Sequence, residues 1–84
     1  MVKVTVTPEA AAEFEALPRP IQTRIVHLFD RLRHWPDVSG ARPLRGPLSG
    51  RSRLRTGDYR MQFRVEDEEV RIEKIGHRDR FYED

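Results

Sequence analysis

Arginines that alternate with apolar residues between positions 51 and 65 are the part of this sequence with the clearest chemistry. Arg53 and Arg55 flank one leucine, and Arg60 follows closely in the segment RSRLRTGDYRMQFRV. Because strand side chains alternate between two faces, this segment predicts a β-hairpin with one apolar face and one cationic face. Gly57 and Asp58 suit its tight turn, with positive φ at the glycine.

The cationic face of this hairpin has the chemistry to bind phosphate. A guanidinium group holds two phosphate oxygens through a planar fork, and it stabilises the extra negative charge of a phosphorane-like transition state. Arg53, Arg55 and Arg60 are therefore predicted to contact one polyanion. The alternative is an ordinary solvated sheet face that carries scattered arginines.

A second group of candidate residues lies near the end of the sequence, at His77, Arg78 and Tyr82. Histidine exchanges a proton near neutral pH and can act as a general acid or base. Tyrosine can stack on a nucleobase or donate a proton. The alternatives are a polar residue at a strand end for His77 and an apolar plug that fixes the tail for Tyr82.

The sequence contains no pattern that predicts a metal or a cofactor. It has no cysteine, and His27 and His34 lack a carboxylate or thiolate at metal-ligand spacing. It also has no glycine-rich phosphate loop before a helix and no serine nucleophile elbow. No metal, cofactor or small-molecule partner is therefore expected.

Charge is segregated along the chain, although the formal net charge is only +2. Six arginines and one acid lie between residues 42 and 60, whereas five acids and one arginine lie between residues 66 and 73. A basic patch attracts phosphates and accelerates their encounter with the protein. Arg45, Arg51 and Arg80 are accordingly expected to join the phosphate-binding group.

Length and hydropathy predict one domain over residues 1–84. A chain of this size forms a single modest core, since folding buries about 60% of the surface that the unfolded chain exposes. No apolar run resembles a signal peptide or reaches the length of about 18 residues that a membrane span needs. The sequence therefore predicts a cytoplasmic protein without a membrane partner.

The first half of the chain predicts one strand followed by two helices. The run from Val2 to Val6 alternates as a strand, and Thr7-Pro8-Glu9 is typical of a helix start. That helix ends at Pro18, and a second helix with an apolar stripe begins at Pro20 and ends before Pro36. The short link between them predicts a helical hairpin.

The second half of the chain predicts a loop and three strands. Residues 36–50 contain three prolines and three glycines and predict the loop. After the hairpin, residues 66–69 predict a turn and Val70 to Ile75 a last strand. Lys74 breaks the alternation of that strand, which predicts a bulge or the strand end at this point.

The resulting order, β-α-α-β-β-β, predicts an α+β fold in the form of a two-layer sandwich. The sheet is expected to have four strands, mainly antiparallel, with the helical hairpin packed on one face. The expected core consists of Phe14, Leu17, Ile25, Leu28 and Phe29 from the helices and Leu54, Met61, Phe63 and Ile72 from the sheet.

The element order, the hairpin RSRLRTGDYRMQFRV and the terminal IGHRDRFY together resemble the RelE/ParE toxin superfamily over the whole chain. Its members pair with an antitoxin in bacterial type II toxin–antitoxin modules. The GDYR element and the IGHR…Y tail are typical of the RelE-like branch. This resemblance implies a metal-independent endoribonuclease, or mRNA interferase, that cleaves mRNA in the ribosomal A site, contacts 16S rRNA and has a cognate antitoxin as partner.

The resemblance also implies roles for individual residues. The positions that match the working residues of the family are Arg53, Arg55, Arg60, Arg78 and Tyr82. In that branch the ribose 2′-OH attacks the adjacent phosphate, so a base and an acid must move two protons. Some relatives carry lysines in place of Arg53 and Arg55, and arginine cannot lose its proton. His77 is therefore expected to be the general base or acid, while Arg60 and Arg78 hold the scissile phosphate.

Two other functions are compatible with the sequence. The ParE-like branch of the superfamily poisons DNA gyrase by protein contact, and the retained Arg, His and Tyr residues argue against it. The third interpretation is a degenerate toxin that only binds its antitoxin. In each case the helical hairpin and residues 36–50 are candidate contact surfaces for the antitoxin.

Overall fold

The computed structural model describes residues 2–79 and 81, which form two α-helices, one short 3-10 helix and five strands. The predicted α+β class is confirmed, with one strand more than expected. None of the helices in these residues is long and apolar enough to cross a membrane. The elements are β1 (Lys3–Val6), α1 (Pro8–Glu15), α2 (Arg19–Leu32), β2 (Arg42–Pro43), a 3-10 helix (Gly46–Leu48), β3 (Arg51–Thr56), β4 (Tyr59–Glu66) and β5 (Glu69–His77).

The strands form one sheet in the order β1-β5-β4-β3-β2. The first strand joins this sheet as predicted and runs parallel to β5, whereas the other neighbours are antiparallel. The expectation of four strands was wrong because it treated residues 36–50 as loop throughout. Arg42 and Pro43 pair with Arg53 and Ser52 at the sheet edge, where a proline is tolerated since an edge strand leaves one side unpaired.

Two tight turns fix the register of the three central strands. Thr56 pairs with Tyr59, and Gly57 between them has a φ of 58°, which is the positive value predicted for this turn. The predicted turn at residues 66–69 is also present, because Glu66 pairs with Glu69. With two-residue connections at both ends of β4, no register other than the observed one closes these turns.

The helical hairpin is confirmed; α1 begins at Pro8 as predicted, and α2 begins at Arg19, one residue before the predicted Pro20. The Thr7 hydroxyl accepts a hydrogen bond of 3.1 Å from the Ala10 N–H and caps α1. At the link to α2, the Gln22 side chain donates a hydrogen bond of 3.1 Å to the Phe14 carbonyl. The apolar stripe of α2 faces the sheet, and its fully buried members are Ile25, Leu28 and Leu32.

The core lies between the helices and one face of the sheet. Leu54 and Met61 form a buried cross-strand pair, and Phe63 pairs with the buried Ile72. The predicted core residues of the sheet are therefore all buried, whereas Phe14, Leu17 and Phe29 of the helical set are half-buried against the core. The opposite face of the sheet has no helix over it among the described elements, and we call it the open face.

A β-bulge interrupts β5, as the break of alternation at Lys74 predicted. Gln62 pairs with Lys74 but Phe63 pairs with Ile72, so Glu73 is an extra residue on β5. Ile75 is consequently turned into the core, where it is 2% exposed. The strand does not end here but continues to His77.

Candidate nucleic-acid interface

The open face carries the alternating arginines of the hairpin. Arg55 pairs with Arg60, and Arg53 pairs with Gln62. Because directly paired residues share a face and the Leu54–Met61 pair is buried against the helices, these side chains belong to the open face. The structure thus brings together three of the residues that the sequence assigned to phosphate binding.

Two further cations lie on this face that the sequence analysis did not assign to the site. Arg42 pairs with Arg53 from the edge strand, and Lys74 pairs with Gln62 from the other side. The break in alternation was a signal for Lys74, whereas no periodic signal marked Arg42. We call the half of the open face nearer the β3–β4 turn the basic half. Its cations are Arg42, Arg53, Arg55, Arg60 and Lys74.

The arginines on the other half of the open face are bound to carboxylates. Arg51 Nε lies 2.6 Å from Glu73 Oε1, and both side chains are about three-quarters buried. Two further ion pairs of this half are longer, at 3.7 Å for Arg64 with Glu66 and for Arg71 with Glu69. Arg51 was predicted to bind phosphate, and the structure instead places it in an internal ion pair.

A hydrogen bond beside this half lowers the pKa of Glu69. The Thr5 hydroxyl donates to Glu69 Oε2 at 2.6 Å, and this bond is the largest cause of the shift below the ordinary value of 4.5. The positive charges of Arg71 and Lys3 act in the same direction. The Glu69 carboxylate is therefore satisfied by the protein itself.

Arg60 is the exception among the open-face arginines, because one of its nitrogens is buried without a partner. Its Nη1 is enclosed and makes no hydrogen bond among the residues that the structure describes. Buried polar groups in folded proteins are nearly always paired, and leaving one unpaired costs about 1–3 kcal/mol. An anion that displaced the atoms enclosing this nitrogen would meet an unused hydrogen-bond donor.

Arg78 lies at the same end of the sheet as Arg55 and Arg60. Its N–H donates a 2.7 Å hydrogen bond to the Asp58 carbonyl, which extends the β4–β5 ladder by one residue. Its Nε is 3.7 Å from one carboxylate oxygen of Asp58 and 3.7 Å from one of Asp79. Since the side chain is 58% exposed, these two contacts are surface ion pairs that a stronger anion can replace.

His77 belongs to the opposite face from Arg60. It pairs with Tyr59, and their rings meet edge to face with centroids 5.2 Å apart. The Asp79 N–H donates to His77 Nδ1 at 3.1 Å, and Asp79 Oδ2 lies 3.5 Å from the same nitrogen. The first contact favours the neutral form with a proton on Nε2, and the second favours a proton on Nδ1.

A cleft of about 580 Å³ runs along the outer edge of β5, and residues from both faces of the sheet line it. Its rim includes Lys74 and His77, together with Glu13 of α1 and Phe81. Glu13 Oε1 accepts a 2.8 Å hydrogen bond from the Ile75 N–H, which fixes α1 against the strand where β1 has ended. A ligand in this cleft can therefore contact both Lys74 and His77.

Of the remaining predicted site residues, only Arg45 lies in the described part of the chain. Arg45 is exposed and directly precedes the 3-10 helix. Arg80 and Tyr82 lie outside the described residues. Across residues 2–79 and 81, no three His, Asp or Glu side chains are grouped so that they can hold a metal ion.

Solved structures that share this fold include toxins of toxin–antitoxin modules. The RelBE2 toxin–antitoxin complex of Mycobacterium tuberculosis matches with a TM-score of 0.81 and 31% identity, over 92% of this chain and 91% of that one. The isolated E. coli RelE toxin matches with a TM-score of 0.77 and 14% identity, over 92% and 84%. The YoeB–YefM complex of Staphylococcus aureus matches with a TM-score of 0.75 and 17% identity, over 92% and 97%. No curated protein sequence matches the chain.

The sequence itself matches a family model over nearly its whole length. The model is described as the ParE toxin of the type II toxin–antitoxin system, parDE, and it covers residues 4–82. The chain therefore belongs to the RelE/ParE superfamily and is a toxin of the type II toxin–antitoxin class.

Proposed function

We propose that this toxin is an endoribonuclease that cleaves mRNA in the ribosomal A site. The ribose 2′-oxygen attacks the adjacent phosphorus, and the products carry a 2′,3′-cyclic phosphate and a free 5′-hydroxyl. The protein has to hold one phosphodiester, stabilise the negative charge that develops on it, and move two protons. The ribosome contributes by holding the mRNA close to the in-line geometry.

The pair of Arg55 and Arg60 is the observation that supports this proposal most directly. Two guanidinium groups directly opposite each other on adjacent strands repel, and one of them has a buried nitrogen without a partner among the described residues. A phosphate removes both penalties, because its oxygens accept hydrogen bonds from guanidinium groups and neutralise their charge. A face that serves only to keep the protein dissolved gains nothing from burying an unpaired guanidinium nitrogen.

The extent of the basic half favours an RNA strand over a single small anion. Arg42 and Arg53 continue the cationic surface toward the sheet edge, and Arg78 continues it beyond the end of β5. A positively charged surface that follows a backbone is the usual way in which proteins bind single-stranded nucleic acid. In the proposed complex Arg60 and Arg78 hold the scissile phosphate, while Arg53 and Arg55 hold its neighbours.

Proton transfer in this proposal requires a residue other than arginine, and His77 is the candidate from the sequence. It lines the cleft at the edge of β5, next to Arg78 in the chain. Asp79 contacts its Nδ1 through an N–H and a carboxylate, so either neutral form of the ring has a partner. His77 acts as general base or general acid in this scheme.

A cognate antitoxin is the proposed protein partner. The mycobacterial relative with 31% identity was solved as a toxin–antitoxin complex. We expect an acidic segment of the antitoxin to cover the basic half, because such a segment satisfies the same guanidinium groups as RNA does. Bound antitoxin then blocks mRNA cleavage.

Primer extension on cellular mRNA after induction of the toxin tests the proposed activity. Breaks that are phased with the reading frame, and that disappear in Arg60→Ala, support the ribonuclease. Intact mRNA in cells that stop growing contradicts it.

The second candidate is a DNA gyrase poison, which the description of the matching family model favours. The same induction experiment separates the two functions. DNA damage with intact mRNA indicates the gyrase poison, and neither lesion indicates a toxin homologue that only binds its antitoxin.

A further inference from the structure

Lys74 reaches the open face only because β5 contains one extra residue. With regular alternation from the buried Ile72, Lys74 would face the helices. The bulge at Glu73 turns Lys74 to the open face beside Gln62. Bulges are enriched next to active sites because they redirect a side chain in this way.

Lys74 also lies beside the arginine with the unpaired nitrogen. Arg60 pairs with Gly76, so Lys74 is its diagonal neighbour across the ladder and within reach of a long side chain. Gly76 has no side chain, and the ring of Phe81 packs at this position instead. Lys74 Nζ lies 5.0 Å from the centre of that ring, at the rim of the cleft that His77 also lines.

Lys74 differs in one chemical respect from the other cations of the basic half. Those cations are arginines, which do not release a proton in proteins. A lysine ammonium is a proton donor with three N–H groups, and it becomes a neutral amine after transfer. Within the described part of the basic half, Lys74 is thus the cation that can both stabilise a phosphate and protonate a leaving group.

We propose that Lys74 is the general acid of the cleavage reaction and protonates the 5′-oxygen as it leaves. This inference rests on the ribonuclease function proposed above and adds the residue that serves the leaving group. His77 is then the general base. For Nε2 to accept the proton of the 2′-OH, the ring must carry its proton on Nδ1 directed at Asp79 Oδ2, 3.5 Å away, in place of the hydrogen bond that Nδ1 accepts from the Asp79 N–H.

The step balances without a further reactant. The 2′-oxygen forms a bond to phosphorus and loses its proton to His77, while the bond from phosphorus to the 5′-oxygen breaks. The 5′-oxygen takes a proton from Lys74, which leaves a 2′,3′-cyclic phosphate, a 5′-hydroxyl, a neutral lysine and a protonated histidine. Proton exchange with water restores both side chains.

Single-turnover cleavage of ribosome-bound mRNA tests this assignment. The mRNA carries the codon that the wild-type toxin cleaves, with either the natural 5′-oxygen or a bridging 5′-sulfur at the scissile bond. Lys74→Arg retains the charge but cannot give up its proton, and Lys3→Arg is the matched control on β1. Sulfur is a good leaving group without protonation, so it removes the need for a general acid.

We expect Lys74→Arg to cleave the oxygen substrate roughly 100-fold more slowly than wild type, the lower end of the effect of a general acid. It should cleave the sulfur substrate at nearly the wild-type rate, which also shows that the variant is folded and binds the ribosome. Wild-type rates on the oxygen substrate, or an equal defect on both substrates, would overturn the assignment. If wild type itself cleaves neither substrate, the ribonuclease proposal fails first and this inference fails with it.

Discussion

Replacing Arg60 with methionine is expected to stabilise the folded toxin and to reduce mRNA cleavage. Arg60 buries Nη1 without a hydrogen-bond partner among the described residues and lies directly opposite Arg55. A buried polar group left unpaired costs about 1–3 kcal/mol, and methionine keeps a long flexible stem without that group. The free energy of unfolding should therefore rise by about 1–2 kcal/mol, which corresponds to a Tm increase of roughly 4–8 °C per kcal/mol in a domain of this size.

Thermal and urea unfolding of the purified proteins measure this change. Arg55→Met is the matched control, because it removes the other guanidinium of the pair at an exposed position. Surface substitutions of that kind usually change the free energy of unfolding by less than about 0.5 kcal/mol. Sulfate gives an independent readout, since an anion that binds Arg60 in the folded state raises the Tm of wild type more than that of Arg60→Met.

An Arg60→Met protein that is no more stable than wild type would refute the reasoning. It would mean that Nη1 is satisfied in solution, and the main physical reason to place a phosphate beside it would be lost. Cleavage at the wild-type rate by this variant would be equally damaging to the proposed site. The expected opposite signs for stability and activity are typical of residues that are strained for function.

Three further predictions follow from individual contacts. His77→Ala should lower the rate of cleavage strongly and leave ribosome binding nearly intact; unchanged cleavage would exclude His77 from proton transfer. Because the pKa of Glu69 is lowered in the folded state, its contribution to stability is present near neutral pH and is lost as the carboxylate is protonated below about pH 4.5. Thr5→Val removes the largest cause of that shift, so urea unfolding should show a destabilised variant at pH 7 whose difference from wild type narrows in acid; a difference independent of pH would contradict this. Gly57→Ala should destabilise the toxin by about 1 kcal/mol, since φ is 58° and the new Cβ would lie 3.3 Å from Arg24 Nη1; an unchanged urea midpoint would show that the turn adapts.

The hairpin and the helices could be predicted because each depends on local signals. Two-residue periodicity fixed the faces of β3 and β4, and the glycine at position 57 marked a turn that the structure closes at Thr56 and Tyr59. The helix starts followed from Thr7 and from prolines, which act on the backbone within one turn, whereas the helices end at Glu15 and Leu32, short of the prolines that were predicted to end them. The arginine pair of the open face was therefore accessible from sequence alone.

Arg42 and Arg51 show why the rest of the site could not be predicted from the sequence. Arg42 lies in a strand of two residues within a segment rich in proline and glycine, and its place on the open face comes entirely from pairing with β3. Arg51 has the same alternation as Arg53, yet its guanidinium is bound by Glu73, which lies two strands away. Neither a short edge strand nor an ion pair across a sheet leaves a periodic signal in the sequence.

The bulge at Glu73 has the largest consequence, because one extra residue exchanges the faces of everything that follows it. Regular alternation from Val70 and Ile72 would place His77 on the open face and Lys74 and Arg78 toward the helices. The observed register after the bulge places Lys74 on the open face beside Gln62, and His77 on the opposite face beside Tyr59. The break at Lys74 could be recognised in the sequence, but an early strand end would have produced the same break. The pairing of β4 with β5 therefore decides which residue of the last strand joins the arginines on the open face. The same pairing places the proposed acid, Lys74, and the proposed base, His77, on opposite sides of one cleft.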